Sequence, residues 1–360
     1  MSRLITPRRT VLQGAAALAG TSMFGAPAIH AQERTLKVAV YGGYFKDSFD
    51  QHIFPKFTAD TGIAVESVAE PTSEAWVVQL EQAARAGRVP ADVNMISQTA
   101  MLSGQAIELW AELDESKLPN MSYVTDAFVH RYPDGRLDGL GAVAWFITLC
   151  TNTDAYPQAP ESWAFLWDPA NEGKLGLLAL ASNSFLLEVT AATYFDGHAS
   201  LKDEESILQV MDKLAEVKPN VALWYRDEGQ FQAALESGEI PAGQYYHDVT
   251  GLIAADGKPV RSTFPKEGGI SDSGCWAVPY ASDKMDEAHV FIDYMCQPSA
   301  QALLSRMVGT APIVARADLD LTDEEFAAVA SEIEPIVPAY AMQNERKDWL
   351  AQMWSEKITG

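Results

Sequence analysis

Aromatic residues next to glycine or charged residues form four clusters along the chain, and a fifth polar turn carries a carboxylate. The clusters are Tyr41-Gly42-Gly43-Tyr44-Phe45, Trp145-Phe146, Trp224-Tyr225-Arg226 and Gln244-Tyr245-Tyr246-His247-Asp248, and the polar turn is Asp272-Ser273-Gly274. Aromatic faces attract an ammonium group by a cation–π interaction worth about 2 kcal/mol when the group is desolvated. The combination of rings and carboxylates predicts a binding site for a small amine.

The charged residues among the predicted site residues have roles that follow from their chemistry. Asp248 and Asp272 supply the counter-charge to an ammonium group, and Arg226 binds a carboxylate bidentately if the ligand is a zwitterion. Two alternatives stay open, namely that individual aromatic residues fill the core and that Arg226 only pairs with its acidic neighbours. The predicted ligand-binding residues, which lie at or beside the ends of predicted strands, are Tyr41, Gly43, Tyr44, Ser97, Trp145, Arg226, Tyr246, Asp248 and Asp272.

The common signatures of enzymes and cofactor sites are missing from the sequence. It contains no G-x-S-x-G, no H-E-x-x-H and no Walker phosphate-binding loop. Three Cys and six His are too few and too scattered for a disulfide scaffold or a zinc ribbon. We therefore expect a protein that is not an enzyme, with no catalytic residue, metal or cofactor. A secreted hydrolase using His247, Asp248 and Asp272 is kept as an alternative.

Composition limits the class of partner. The chain has 360 residues, of which 48% are hydrophobic, so a large core is available. Acidic residues number 49 against 26 Lys and Arg, which gives a formal charge of -23. Such a charge repels phosphate backbones and anionic lipid surfaces. We expect no nucleic-acid partner and a monomeric protein.

The first 31 residues have the layout of a cleavable export signal. Three arginines and no acidic residue precede and flank an apolar stretch rich in Ala and Gly that runs from Val11 to Phe24. The pair Arg8-Arg9 resembles the twin-arginine signal. We predict a signal peptide over residues 1–31 and a periplasmic protein without a membrane anchor.

Alternating short apolar runs and amphipathic segments predict an α/β fold of parallel strands joined by helical crossovers. The apolar run at 142–152 is long enough to pass from one lobe to another, and a return strand is predicted at 276–280. The last part of the chain reads as two acidic helices at 322–337 and 341–357.

Several segments together resemble the periplasmic solute-binding proteins of ABC importers, in the branch that binds spermidine and putrescine. The markers, which span almost all of the chain after residue 31, are FTADTGIAV, LDESKLPN, CTNTDAY, PESWAFLWDP, LESGEI, FPKEGG and AHVFIDYM followed by GTAPI. The resemblance implies a type II periplasmic-binding-protein fold, in which two α/β lobes joined by a hinge enclose a ligand cleft. It also implies delivery of the solute to the membrane subunits of an ABC permease. The predicted lobes are 32–143 with 277–312, and 144–276 with 313–360.

The resemblance also bears on the ligand. Polyamine-binding members carry a Trp seven residues after the Glu of the G-E strand, and Tyr246 occupies that position after Glu239. The same members carry two acidic residues where this chain has Ser182 and Phe185, and an Asp where it has Gly274. A monocation or a zwitterion resembling 4-aminobutyrate therefore fits better than a long dication.

Ferric-ion-binding periplasmic proteins are the alternative, because they share the fold and carry two adjacent tyrosines in this strand region, as Tyr245-Tyr246 does. Their tyrosine pair lies two to three residues further from the G-E turn, and they place a His near the first strand, where this chain has Phe45.

Overall fold

The computed structural model describes residues 34–70 and 74–360, and the predicted signal peptide lies outside them. Ten strands form one mixed sheet. They are β1 Arg34–Tyr41, β2 Ile63–Glu70, β3 Val93–Ser97, β4 Val129–Arg131, β5 Leu137–Asn152, β6 Leu175–Leu178, β7 Val221–Tyr225, β8 Ala242–Tyr246, β9 Val260–Thr263 and β10 Ile270–Ala277.

Helices connect most of these strands. They are α1 Tyr44–Ser48, α2 Phe54–Thr61, α3 Glu74–Arg85, α4 Gln98–Ala106, α5 Leu186–Tyr194, α6 Glu204–Ala215, α7 Glu228–Ser237, α8 His247–Ala255, α9 Met285–Met295, α10 Pro298–Val308, α11 Asp323–Ala327, α12 Tyr340–Glu345 and α13 Lys347–Trp354. Two π-helical segments, Phe49–Ile53 and Ser355–Thr359, continue α1 and α13. The α/β class is confirmed.

The strand order is β2-β1-β3-β10-β5-β8-β6-β7, and β4 and β9 also pair with β5. The outer strands on each side are parallel, as the crossover pattern predicts. The two middle strands are not, because β10 runs antiparallel to β3 and β5, and β5 runs antiparallel to β8. Long β5 joins the two parallel halves into a single sheet.

Each half of the sheet is covered by apolar side chains on both faces. The β1, β2 and β3 half packs against one cluster that includes Phe49 and Trp276 and another that includes Trp76 and Trp110. The β6, β7 and β8 half has its own pair of clusters. Each half of the sheet therefore has its own packed apolar clusters.

Two predicted elements differ from the structure. The return strand is Ile270–Ala277 rather than 276–280, so Asp272 and Ser273 lie inside it and not in a preceding turn. The polar side chains are tolerated there because they have partners, such as the Gln98 amide that donates to Ser273 Oγ at 2.8 Å.

The predicted helix over 322–337 is wrong beyond Ala327. Pro335 and Pro338 interrupt a helical backbone. The segment instead pairs with β10, where the Ile336 amide donates to the Gly269 carbonyl at 2.9 Å and the Ser271 amide donates to the Ile336 carbonyl at 3.0 Å.

Cys150, Cys275 and Cys296 are buried and unpaired. Within residues 34–70 and 74–360, no helix has both the length and the apolar character needed to cross a bilayer.

The close approach of β6 and β8 depends on glycine. A Cβ at Gly243 would overlap the carbonyl oxygen of Gly176 and also meet the Phe231 ring. We expect Gly243→Ala to lower the free energy of unfolding by about 1–3 kcal/mol, because the backbone of the neighbouring strand cannot move aside. Gly251→Ala in α8 is the matched control, since nothing lies within 4 Å of its added methyl group. The measurement is urea denaturation, and equal midpoints for the two variants would contradict the packing argument.

Candidate functional site

A cavity of about 480 Å³ lies between the two halves of the sheet, at the carboxyl ends of β1, β3 and β8. Open α/β sheets bind ligands at this position. We call it the acidic cleft. Six of the nine predicted site residues line it, namely Tyr41, Ser97, Trp145, Tyr246, Asp248 and Asp272.

The other three predicted residues do not line the cavity. Gly43 forms the turn after β1 with φ of 66°, a conformation that glycine adopts readily. Tyr44 follows it on α1 with 59% of its surface exposed. Arg226 is exposed, and it forms no hydrogen bond or ion pair with the part of the chain that the structure describes. The predicted guanidinium clamp is therefore absent from this cavity.

Aromatic rings form part of the wall. Trp145 is the one residue of the sixteen in β5 that is not fully buried, and it faces the cleft. Its ring meets the Tyr41 ring edge to face, with centroids 6.3 Å apart. Both rings are held by strands, so their faces are positioned before a ligand arrives.

Asp272 lies opposite Trp145 across the β5 and β10 pair. The Tyr340 hydroxyl donates to Asp272 Oδ1 at 2.5 Å, and the Ser273 amide donates to the same oxygen at 2.8 Å. Burial raises the pKa of Asp272 to about 6, although these hydrogen bonds partly offset the effect. The carboxylate is thus fixed in orientation, and with this pKa it is mostly ionised at neutral pH.

Asp248 is the second residue of α8, directly after the turn from β8. Its Oδ1 is buried without a hydrogen-bond partner in the described chain. Burial raises the pKa of Asp248 to about 6, while backbone N–H groups at the start of the helix lower it slightly. A buried carboxylate oxygen without a partner is an acceptor available to a ligand cation.

A third carboxylate, Glu228, was not among the predicted residues. It begins α7, lines the cleft, and accepts a hydrogen bond from the Tyr246 hydroxyl at 2.8 Å. Its position two residues after the Trp224-Tyr225-Arg226 cluster could have indicated that it lies near the site. Gln98, Phe185 and Tyr340 also line the cleft. The family resemblance pointed to the Phe185 position, where polyamine-binding members carry an acidic residue, but no pattern indicated Gln98 or Tyr340.

The charges around the cleft all have one sign. Three carboxylates line it, from Glu228, Asp248 and Asp272. Among the described residues that line it, none is Lys, Arg or His. The arrangement can neutralise a positive group and has no side chain to neutralise a negative one.

The cleft lacks the full set of side chains for either alternative function, the ferric-ion site or the hydrolase. Tyr246 lines the cleft and Tyr245 does not, and their hydroxyls donate to different acceptors, Glu228 at 2.8 Å and Gln232 at 3.3 Å, so the two hydroxyls do not converge on one site. Burial raises the pKa of Tyr245 and of Tyr246, which disfavours phenolate in the empty site. His247 contacts Ser262 Oγ and the Ala327 carbonyl instead of the two aspartates. No group of three His, Cys, Asp or Glu side chains that could hold a metal occurs in the described chain.

Comparison with known proteins identifies the family. Residues 52–330 match the family described as bacterial extracellular solute-binding protein, which is more than three quarters of the chain. This chain is a member of that family.

The relatives of this solute-binding protein include binders of amines. The spermidine/putrescine-binding periplasmic protein 1 of Haemophilus influenzae is 26% identical over 260 residues, 71% of this chain and 70% of that protein. The gamma-aminobutyric acid-binding protein of Pseudomonas aeruginosa is 25% identical over 303 residues, 81% of each chain. The crystal structure of an extracellular solute-binding protein from Bordetella parapertussis superposes with a TM-score of 0.78 at 18% identity, covering 91% of this chain and 99% of that one. The predicted periplasmic-binding-protein fold is confirmed.

The buried carboxylate of Asp248 should reduce the stability of the empty protein at neutral pH. Its pKa of about 6 exceeds the ordinary value near 3.9, so the folded chain binds this proton more tightly than the unfolded chain. The resulting stabilisation is complete at low pH and is lost as the pH rises through 6. We expect Asp248→Asn to raise the free energy of unfolding by about 1–3 kcal/mol near pH 7.5, and by less as the pH falls towards about 4.

The measurement is thermal and urea unfolding across this pH range, without ligand. The exposed Asp256, on the C-terminal side of the same helix, provides the control variant Asp256→Asn. A gain for Asp248→Asn that does not depend on pH would argue against an elevated pKa.

Proposed function

We propose that this protein captures a small solute bearing an amine in the periplasm and delivers it to the membrane subunits of an ABC importer. One observation carries the proposal: the acidic cleft combines three carboxylates with aromatic walls and is lined by no basic side chain in the described chain. A desolvated ammonium group needs such a carboxylate partner and also gains from an aromatic face.

The names of the relatives support an amine as the common element. Spermidine and putrescine carry only amines, whereas gamma-aminobutyric acid also carries a carboxylate. Each of these three compounds carries at least one ammonium group. We assign that group to the space between Asp248, Asp272 and the rings of Trp145 and Tyr246, and Glu228 supplies a further negative charge.

Capture requires the two lobes to close on the solute. We propose that the chain passes from one lobe to the other near residues 143 and 276, as expected from the sequence. The packing of Ile313 through Ala330 with the first core favours a third crossing close to residue 331 rather than 312. The export signal at 1–31, the periplasmic location and the monomeric state belong to the same proposal.

The test is isothermal titration of the purified protein with putrescine, spermidine, 4-aminobutyrate and a quaternary amine. We expect at least one amine to bind, and its affinity to fall as the pH drops below about 6, because protonated aspartates no longer neutralise the ammonium group. Asp248→Asn should weaken binding about 10- to 100-fold, equivalent to about 1.4–2.8 kcal/mol.

The control for this test is Asp256→Asn, which alters the same helix outside the cleft. Binding that is unchanged in Asp248→Asn would remove the cleft from amine recognition. Coloured ferric complexes formed in preference to any amine complex would favour the iron-binding alternative, and chemical turnover of the bound amine would favour an enzyme.

A further inference from the structure

A second cavity, of about 570 Å³, adjoins the acidic cleft. One side is helix α4, and the other consists of residues 198–202 together with 338–346. Gln98 and Tyr340 line both cavities, so these two side chains form the wall between them. We call the second cavity the basic groove, for the charges described next.

The basic groove differs in charge from its surroundings. Lys202, Arg346 and His198 line it, with Glu345 as its one acidic side chain among the described residues. With His198 neutral, its charge is +1, in a chain that has almost two acidic residues for every basic one. The neighbouring cleft has three carboxylates and no basic residue in its described lining. Adjacent regions of opposite sign are suited to a ligand whose own charges are separated.

The basic side chains of the groove have nitrogen atoms that remain available to bind a ligand. The Lys202 ammonium has no hydrogen bond or ion pair within the described chain. Arg346 uses one terminal nitrogen for its neighbour Glu345 at 2.9 Å, and the other approaches the Lys202 carbonyl at 3.4 Å. The nearby carboxylate of Asp203 accepts from the Ser206 amide at 2.9 Å, and it interacts with the Arg346 charge without forming a direct ion pair.

The remaining walls of the groove are apolar. They include Leu102, the buried Leu201 and Met342, and Pro338. Such walls suit the methylene chain of an organic molecule better than a fully hydrated inorganic anion. The combination of apolar walls with Lys202 and Arg346 matches a carboxylate carried on an alkyl chain.

We infer that the basic groove is a carboxylate-binding subsite, in which Lys202 and Arg346 neutralise the carboxylate and the groove walls hold its alkyl chain. The carboxylate belongs either to the amine-bearing solute, in which case the inference rests on the proposed function, or to a separate organic acid. Arg226, the residue that the sequence favoured for this role, lies outside both cavities.

The experiment compares two variants by isothermal titration. The first combines Lys202→Ala with Arg346→Gln, and the second is Arg226→Ala, which removes a cation from outside both cavities and serves as the matched control. The ligands are putrescine, ω-amino acids of four to eight carbons, and hexanoate, which has a carboxylate and no amine. Melting temperatures and circular dichroism show that each variant is folded.

For a carboxylate on the solute itself, we expect the groove variant to bind the preferred ω-amino acid at least tenfold more weakly than the unmodified protein. Putrescine affinity should stay within twofold, and Arg226→Ala should change neither. For a separate acid, hexanoate should bind without displacing putrescine, and the groove variant should lose hexanoate binding.

Three results would overturn the inference. They are unchanged affinity of the groove variant for every carboxylate, equal losses for putrescine and the ω-amino acid, or a loss in Arg226→Ala instead. If no amine binds the unmodified protein, the proposed function fails. Hexanoate binding alone then tests whether the groove is a carboxylate-binding subsite. Loss of hexanoate binding in the groove variant would support the subsite, and no hexanoate binding to the unmodified protein would overturn it.

Discussion

The pairing of β5 with four other strands is the constraint on which the rest of the structure depends. This strand hydrogen-bonds to β10 and β4 along its first part and to β8 and β9 along its second. Fifteen of its sixteen residues are buried, which fixes its register against both halves of the sheet. The remaining residue, Trp145, faces the cleft. The position of this ring is therefore set by a strand that is paired along its whole length.

The carboxylates of the cleft illustrate a conflict between stability and function. Burial raises the pKa of Asp248 and of Asp272 to about 6. Hydrogen bonds from Tyr340 and Ser273 relieve part of the cost for Asp272, whereas one oxygen of Asp248 has no such relief in the described chain. Groups left without protein partners at a cleft are suited to receiving one from a ligand.

Much of the fold and part of the site were predictable from the sequence. The alternation of apolar runs with amphipathic helices indicated the α/β class, and aromatic residues next to turns led to Tyr41, Trp145 and Tyr246. Asp272 was expected in a turn before the return strand and instead lies within that strand, because polar residues in a strand resemble a turn when their partners are unknown. The partners are distant along the chain, since Tyr340 is 68 residues from Asp272 and Gln98 is 175 residues from Ser273. Long-range hydrogen bonds of this kind leave no local pattern. Arg226 shows the converse, since it belongs to one of the aromatic clusters and yet does not line the cleft.

The segment 338–346 contributes Tyr340 to the acidic cleft and most of one wall to the basic groove, yet it forms none of the ten strands. It is tied to the rest of the chain by a few contacts, such as those that the buried Glu188 accepts from the Ala339 amide and the Gln343 side chain. Substitutions at exposed positions of this segment, such as Ala341 and Asn344, need not disturb these contacts, whereas Tyr340 is tied to the sheet through its hydrogen bond to Asp272 of β10. One short segment outside the sheet therefore lines both cavities, so a single substitution at Tyr340 would alter the acidic cleft and the basic groove at once.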